Sequence, residues 1–130
     1  MKRFILILFL LTCTNFISAN RETKKEIQKH ELAGKASYYG SEYKETRKTA
    51  NGEHFNKNDY TAAHKTLPFG TLVKVTNKRN NKYVIVRVND RGPFVKGRVI
   101  DITPIAANDL DIIKSGLAEV ELEIIKKGHQ

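Results

Sequence analysis

Three short segments of this chain carry more polar detail than a small β domain needs. Thr49-Ala50-Asn51-Gly52-Glu53 sets a carboxyl directly behind an Asn-Gly turn dipeptide. Thr61 to Gly70 (TAAHKTLPFG) holds His64 in a loop ahead of a strand. Val88 to Phe94 (VNDRGPF) puts Asp90 at the end of a strand, with Arg91-Gly92-Pro93 behind it. Carboxyls and imidazoles are the groups that move protons in general acid–base chemistry. Loops held by a rigid scaffold are where such chemistry is usually placed.

Each segment also has a plainer reading. Asn51-Gly52-Glu53 is then only a tight turn, and His64 only a hydrogen-bond partner of its loop backbone. Asp90 would hold its turn by accepting N–H bonds, with Arg91 as ion partner. Asp101, an acid inside the apolar run Val99-Ile100-Asp101-Ile102, would satisfy buried backbone or pair with Arg98. Lys65, Arg79 and Lys82 read as solvated surface charges.

Spacing excludes other chemistries. There is no phosphate loop ending in Lys-Ser or Lys-Thr and no G-x-S-x-G nucleophile turn. His54 lies ten residues from His64, and His30 and His129 fall near the ends, so no zinc spacing is present. One Cys in the chain allows neither an internal disulfide nor a pair of Cys ligands. No metal or cofactor is called for. The 23 Lys and Arg against 14 Asp and Glu give a net charge of +9 and suggest an anionic partner. No basic stretch is interleaved with aromatics, so nucleic acid is not the expected one.

The elements that must position these loops are mostly strands. Lys35 to Tyr39 alternates and ends at Gly40. Thr71 to Thr76 and Tyr83 to Val88 have period two and flank the polar turn Asn77 to Lys82, which predicts a hairpin. Val99 to Ile102 is a short apolar strand. Thr103-Pro104 suits an N-cap followed by the first helical residue, so a helix is expected from Pro104 to about Leu110. Asp111 to Gly116 has room for a second helical turn. Ala118 to Ile125 alternates strictly and forms the last strand. Many short strands with one short helix fit a small closed β-barrel, since closure removes exposed edges.

The 130 residues divide into a leader, a tether and one domain. Met1-Lys2-Arg3, the apolar run Phe4 to Leu11 and the small residues near Ser18-Ala19 form the three parts of a secretory signal over 1–19. The run is too short for a transmembrane helix. Two cuts are compatible: after Ala19, or a lipoprotein cut before Cys13, where lipid would attach the chain to a membrane. Residues 20–33 are dense in charge and read as a solvated linker or a frayed helix. The domain occupies 34–127.

Five strings, in this order, carry a resemblance. They are Gly34-Lys35-Ala36-Ser37-Tyr38-Tyr39-Gly40, the Thr49 to Glu53 string, the Thr61 to Gly70 string, Val86 to Phe94 (VRVNDRGPF) and Gly97-Arg98-Val99-Ile100-Asp101. Together they resemble the rare lipoprotein A (RlpA) family of septal lytic transglycosylase-like proteins. The resemblance implies a mainly β fold, a six-stranded double-psi β-barrel with one or two short helices. It also implies a monomeric, exported protein of the periplasm or cell envelope, on the outer membrane if Cys13 is lipidated. Its substrate would be peptidoglycan glycan strands. Two departures stand out: Tyr38 where the family often has Trp, and Asn56 where an acid usually follows the TANGE string.

The family's acidic and His positions fall here on Glu53, His64 and Asp90. A lytic transglycosylase breaks the MurNAc–GlcNAc bond without water, as the MurNAc C6 hydroxyl attacks its own C1. One carboxyl can serve as acid and then as base, and Asp90 is the candidate. Glu53 would be the second carboxylate, and His64 would orient a carboxylate or contact sugar. Tyr39, Thr49, Asn51 and Asn89 are candidate sugar contacts. Arg91 or Arg98 beside Asp90 would make it a poorer acid. The rival reading is a non-catalytic, expansin-like peptidoglycan-binding module; a third is a structural envelope protein.

Overall fold

A computed structural model describes residues 15–25, 32–40 and 42–129. Met1 to Thr14, with the basic start, the apolar run and Cys13 of the expected leader, lie outside the described residues. Residues 15–25 form a helix, α1, exposed along its length. It includes the first half of the charged stretch. No helix among the described residues is long and apolar enough to cross a membrane.

The second unit, from Leu32 on, is a closed barrel. Its strands are β1 (Ala33–Tyr38), β2 (Thr61–His64), β3 (Leu72–Asn77), β4 (Tyr83–Asp90), β5 (Arg98–Ile102) and β6 (Ala118–Lys126), with α2 (Pro104–Asp109) before the last. They close in the order β1-β5-β2-β4-β3-β6. β1 with β5 and β2 with β4 run parallel; the other four pairings are antiparallel.

The period-two strands supply the core. Val73 and Val75 of β3 face Val86 and Val84 of β4 across the hairpin, all buried. Ile100 and Ile102 of β5 and Val120 and Leu122 of β6 complete the interior, with Ala106, Ala107, Leu110 and Ile112 packed against it. Leu32 packs against this core, and its carbonyl accepts from Leu122 N at 2.8 Å.

Three expectations need correction. Thr61 to His64 is a strand, not a loop. All four residues are buried, so no alternation marks them. Asp111 to Gly116 forms turns, not a second helical turn. Asp111 has φ 59° and leaves helical space there. Asn77 belongs to β3 and is fully buried, not part of a solvated turn: its Nδ2 donates to Leu110 O at 2.9 Å, and its Oδ1 accepts from Arg79 N at 3.0 Å. α2 begins at Pro104 after Thr103, as the residues predict. The Thr103 hydroxyl, however, donates to Asp59 O at 2.6 Å and does not cap its own helix.

Two register shifts aim side chains at one end of the barrel. Along β2 and β4, Ala62 pairs with Val88 but Ala63 pairs with Asp90, so Asn89 is the extra residue of a bulge. Val88 and Asn89 are both buried as a result, and Asp90 emerges on the rim. Bulges re-aim side chains in this way beside functional sites. Along β1 and β5, a second shift skips Val99 and sets Ser37 opposite Asp101.

Candidate active site

The Thr49 to Glu53 turn is built by its own hydrogen bonds. Thr49 N donates to Glu53 O at 2.8 Å and Gly52 N to Thr49 O at 3.0 Å. Gly52 has φ 90°, a conformation that side chains resist. The Asn51 side chain ties the turn internally: its Oδ1 accepts from Thr49 Oγ1 at 2.7 Å and from Glu53 N at 3.1 Å. The turn docks on the end of β4 through Asn51 N to Asn89 O at 3.1 Å and Ala50 N to Asp90 Oδ1 at 2.9 Å.

Glu53 is held as an anion. Arg87 donates to it with both arms, Nη1 to Oε1 at 2.6 Å and Nη2 to Oε2 at 2.8 Å. Asn51 Nδ2 donates to Oε1 at 2.8 Å and Asn89 Nδ2 to Oε2 at 3.3 Å. The bidentate Arg87 contact is the main cause that brings the Glu53 carboxyl down to about 2. Asn89 is 2% exposed, and its Oδ1 is buried with no hydrogen-bond partner among the described residues.

Asp90 accepts three hydrogen bonds: from Tyr39 OH at 2.9 Å, from Ala50 N at 2.9 Å and from Arg91 N at 2.9 Å. Burial, and then the charge of Asp90, push the Tyr39 phenol far up, so it remains a donor. The Tyr39 ring is fixed against Tyr43 and Phe55, with centroids at 4.6 and 4.9 Å.

Arg91 is not the ion partner expected for Asp90. Its Nη1 donates to Leu67 O at 2.8 Å and to His64 O at 3.3 Å, and its guanidinium lies 4.0 Å from the centre of the Phe69 ring. Two backbone carbonyls and an aromatic face take the cation. The same loop is tied by His64, which is 1% exposed. Its Nδ1 accepts from Thr66 N at 3.2 Å and Leu67 N at 3.1 Å. A nitrogen that accepts two N–H groups carries no proton, so the ring proton is on Nε2.

Asp101 does not make the expected pair with Arg98. The Ser37 hydroxyl donates to its Oδ1. Burial is the largest influence on this carboxyl and raises it; Ser37 and Arg98 pull it down, and Asp90 adds to the rise.

A cleft of about 430 Å³ opens over these groups, lined among others by Asp90, Asp101, Arg47, Lys48, Arg98 and Phe94. Phe94 is 84% exposed on its rim. A larger hollow of about 870 Å³ lies over Tyr39, Tyr43 and Phe55. Asp90 does not line it; Asp90 and Asp101 line the smaller cleft. Tyr43 borders both.

Of the residues expected at the site, Glu53, Asp90, Tyr39, Thr49, Asn51 and Asn89 are brought into one hydrogen-bonded group. Thr49 and Asn89 are nearly buried, and their polar groups serve the turn. His64 sits one residue beyond Ala63, the partner of Asp90, and braces the adjacent loop. Arg87 carries no signal of its role in the sequence. It sits among the strand residues of β4, and its partner Glu53 is 34 positions away.

The sequence model of the lytic transglycolase family matches residues 31–122. The chain is 48% identical over 114 residues to the endolytic peptidoglycan transglycosylase RlpA of Pasteurella multocida, covering 88% of this chain and 38% of that protein. It is 56% identical over 95 residues to the protein of that name from Campylobacter jejuni, covering 73% and 34%. It thus spans little more than a third of the length of these two relatives. Among solved structures, an expansin of Clavibacter michiganensis in complex with cellohexaose superposes with a TM-score of 0.58 at 16% identity, over 76% of this chain and 52% of that one. A Streptomyces papain inhibitor gives 0.57 at 21% identity, over 73% and 94%. These two likenesses are of fold alone. With the family match, the shared strings and the closed six-stranded barrel together, the chain belongs to the RlpA family of double-psi β-barrel lytic transglycolases.

Proposed function

We propose that this protein is an endolytic peptidoglycan lytic transglycosylase. It cleaves the MurNAc–GlcNAc β-1,4 bond of glycan strands and leaves 1,6-anhydro-MurNAc ends, in remodelling of the wall and separation of daughter cells. The observation that carries the reading is the Asp90 carboxylate, fixed by three donors on the rim of an open cleft. The names of the relatives support the substrate.

In the reaction, O6 of MurNAc bonds to its own C1 as the C1–O4 bond breaks. O6 loses a proton and O4 gains one, so no water is consumed. Asp90 takes the proton of the C6 hydroxyl, and an acid of the same cleft supplies the proton that O4 gains. Glu53 donates none: its negative charge holds Arg87, Asn51 and Asn89, and through them the turn that presents Ala50 N to Asp90. Tyr39 orients the Asp90 carboxylate, and His64 with Arg91 keeps the neighbouring loop closed. Arg47, Lys48 and Arg98 give the cleft a positive rim suited to the lactyl carboxylate of MurNAc. The site of action is the cell envelope, reached by a leader cut after Ala19 or by lipid on Cys13.

The test is a product assay. The protein is incubated with peptide-free glycan strands and with intact sacculi, beside an Asp90→Asn variant, and soluble products are read by mass spectrometry. Anhydro ends that vanish in the variant are the expected result. Reducing ends would make the protein a hydrolase. Retained glycan binding with no product would leave an expansin-like binding module.

A further inference from the structure

The sheet sets a second carboxyl beside Asp90. Ala63 of β2 pairs with Asp90 of β4 on one side and with Asp101 of β5 on the other. Residues directly opposite on neighbouring strands point to the same face of a sheet. Asp90 and Asp101 therefore project from one face, on either side of Ala63 in the sheet. Two strand spacings put their backbones roughly 9–10 Å apart. Side chains that lean over Ala63 bring such carboxyls within the roughly 5–9.5 Å at which pairs act on one glycosidic bond. Both line the 430 Å³ cleft, and Glu53 does not.

The two carboxyls are also held differently. Asp90 accepts from Tyr39, Ala50 and Arg91, whereas the one side chain seen on Asp101 is the Ser37 hydroxyl. Burial favours the protonated form of Asp101, and the negative charge of Asp90 acts in the same direction. The Tyr39 phenol stays protonated between them. The Ser37 hydrogen bond and then Arg98 oppose the rise; Arg47 and Lys48 also line the cleft, and Arg91 is engaged by Leu67 O and the Phe69 ring.

We propose that Asp101 is the general acid of the site, giving its proton to the leaving O4 while Asp90 takes the proton of the C6 hydroxyl. The C1–O4 electron pair leaves with O4, which takes the Asp101 proton. The O6 lone pair forms the new bond to C1, and its proton passes to Asp90. One proton then returns from Asp90 to Asp101, and nothing is consumed. The assignment rests on the transglycosylase reading above and divides between two carboxyls what one was expected to do.

Two substrates separate the roles. One is peptide-free glycan. The other is GlcNAc–MurNAc carrying 4-nitrophenol on C1, a leaving group that departs as an anion and needs no acid. On glycan, Asp101→Asn should lose about 10²–10⁴-fold in kcat, the usual worth of a positioned proton donor, with KM little changed. On the nitrophenyl substrate it should run close to wild type. Asp90→Asn should be slow on both. The wild-type pH profile is a second readout that needs no variant. On glycan the rate should fall on the alkaline side as Asp101 deprotonates; on the nitrophenyl substrate that limb should be missing. An Asp101→Asn protein that cuts glycan like wild type, or is equally slow on both substrates, overturns the assignment and leaves the transglycosylase reading standing. An alkaline limb shared by both substrates does the same. Wild type inactive on both substrates overturns the two readings together.

Discussion

Removing Arg87 should change how the fold responds to acid. Arg87→Met keeps the aliphatic length of the side chain and removes the two donors that grip Glu53. The Glu53 carboxyl stands at about 2 against an ordinary 4.5, and Arg87 is pushed up by the same contact. At about 1.4 kcal/mol per tenfold, that drop corresponds to about 3 kcal/mol. The two side chains are 38% and 41% exposed, however, so water screens the pair. Discounted for this, its worth is about 1–1.5 kcal/mol. A carboxyl lowered by folding stabilises the fold above its unfolded value, and the gain disappears as pH falls through the folded one. The contribution is thus complete above pH ~4.5 and lost between ~4.5 and ~2. Urea unfolding should find Arg87→Met weaker by about 1–1.5 kcal/mol at pH 7. The gap to wild type should close as pH approaches ~2. Carbon-13 NMR should find the Glu53 carboxyl titrating below its ordinary value in wild type and about one unit higher in the variant, the shift that about 1–1.5 kcal/mol requires. A wild-type midpoint near 4.5, or a stability gap that does not change with pH, would refute the reasoning.

Other substitutions separate stability from function. Tyr39→Phe removes the donor to Asp90 but keeps the ring among Tyr43 and Phe55, so thermal melts should report a cost of about 1 kcal/mol while counts of anhydro ends fall about tenfold. His64→Leu removes the buried ring nitrogen to which Thr66 N and Leu67 N donate in a part-buried loop; calorimetry should show a loss of about 1–2 kcal/mol. Phe94→Ala changes a side chain that is 84% exposed, so stability should stay within about 0.5 kcal/mol. If the ring stacks on sugar, KM for glycan should rise roughly two- to tenfold, from about 0.5–1.5 kcal/mol of lost aromatic contact.

What the residues made legible follows their physics. β3 and β4 could be read because each buries one face, and the polar turn between them keeps Val73 and Val86 in register. β2 could not: TAAH is buried on both sides, too short for a helix and without alternation. Its neighbours were therefore hidden as well. The string around Asp90 could be recognised, but the partners of Asp90 come from β1 and the Ala50 turn, and chain spacing says nothing about them. Arg91 follows Asp90 directly, and proximity in sequence suggested an ion pair. The bulge at Asn89 and the cluster of loop carbonyls draw its guanidinium elsewhere.

Asp101 shows the same limit from the other side. Its neighbours Ile100 and Ile102 are buried in the core, so alternation alone requires Asp101 to face away from it. What it meets there depends on register: Ser37 is 64 residues distant and Asp90 is two strands over. An acid between isoleucines looks structural when its strand is considered alone. In the closed barrel the same residue shares a rung with Asp90, and the small size of Ala63 acquires a meaning that composition and motif could not give it. The pairings of β2 with β4 and with β5 thus do more than close the sheet. They set on one rung two carboxyls that lie on separate strands of the sequence.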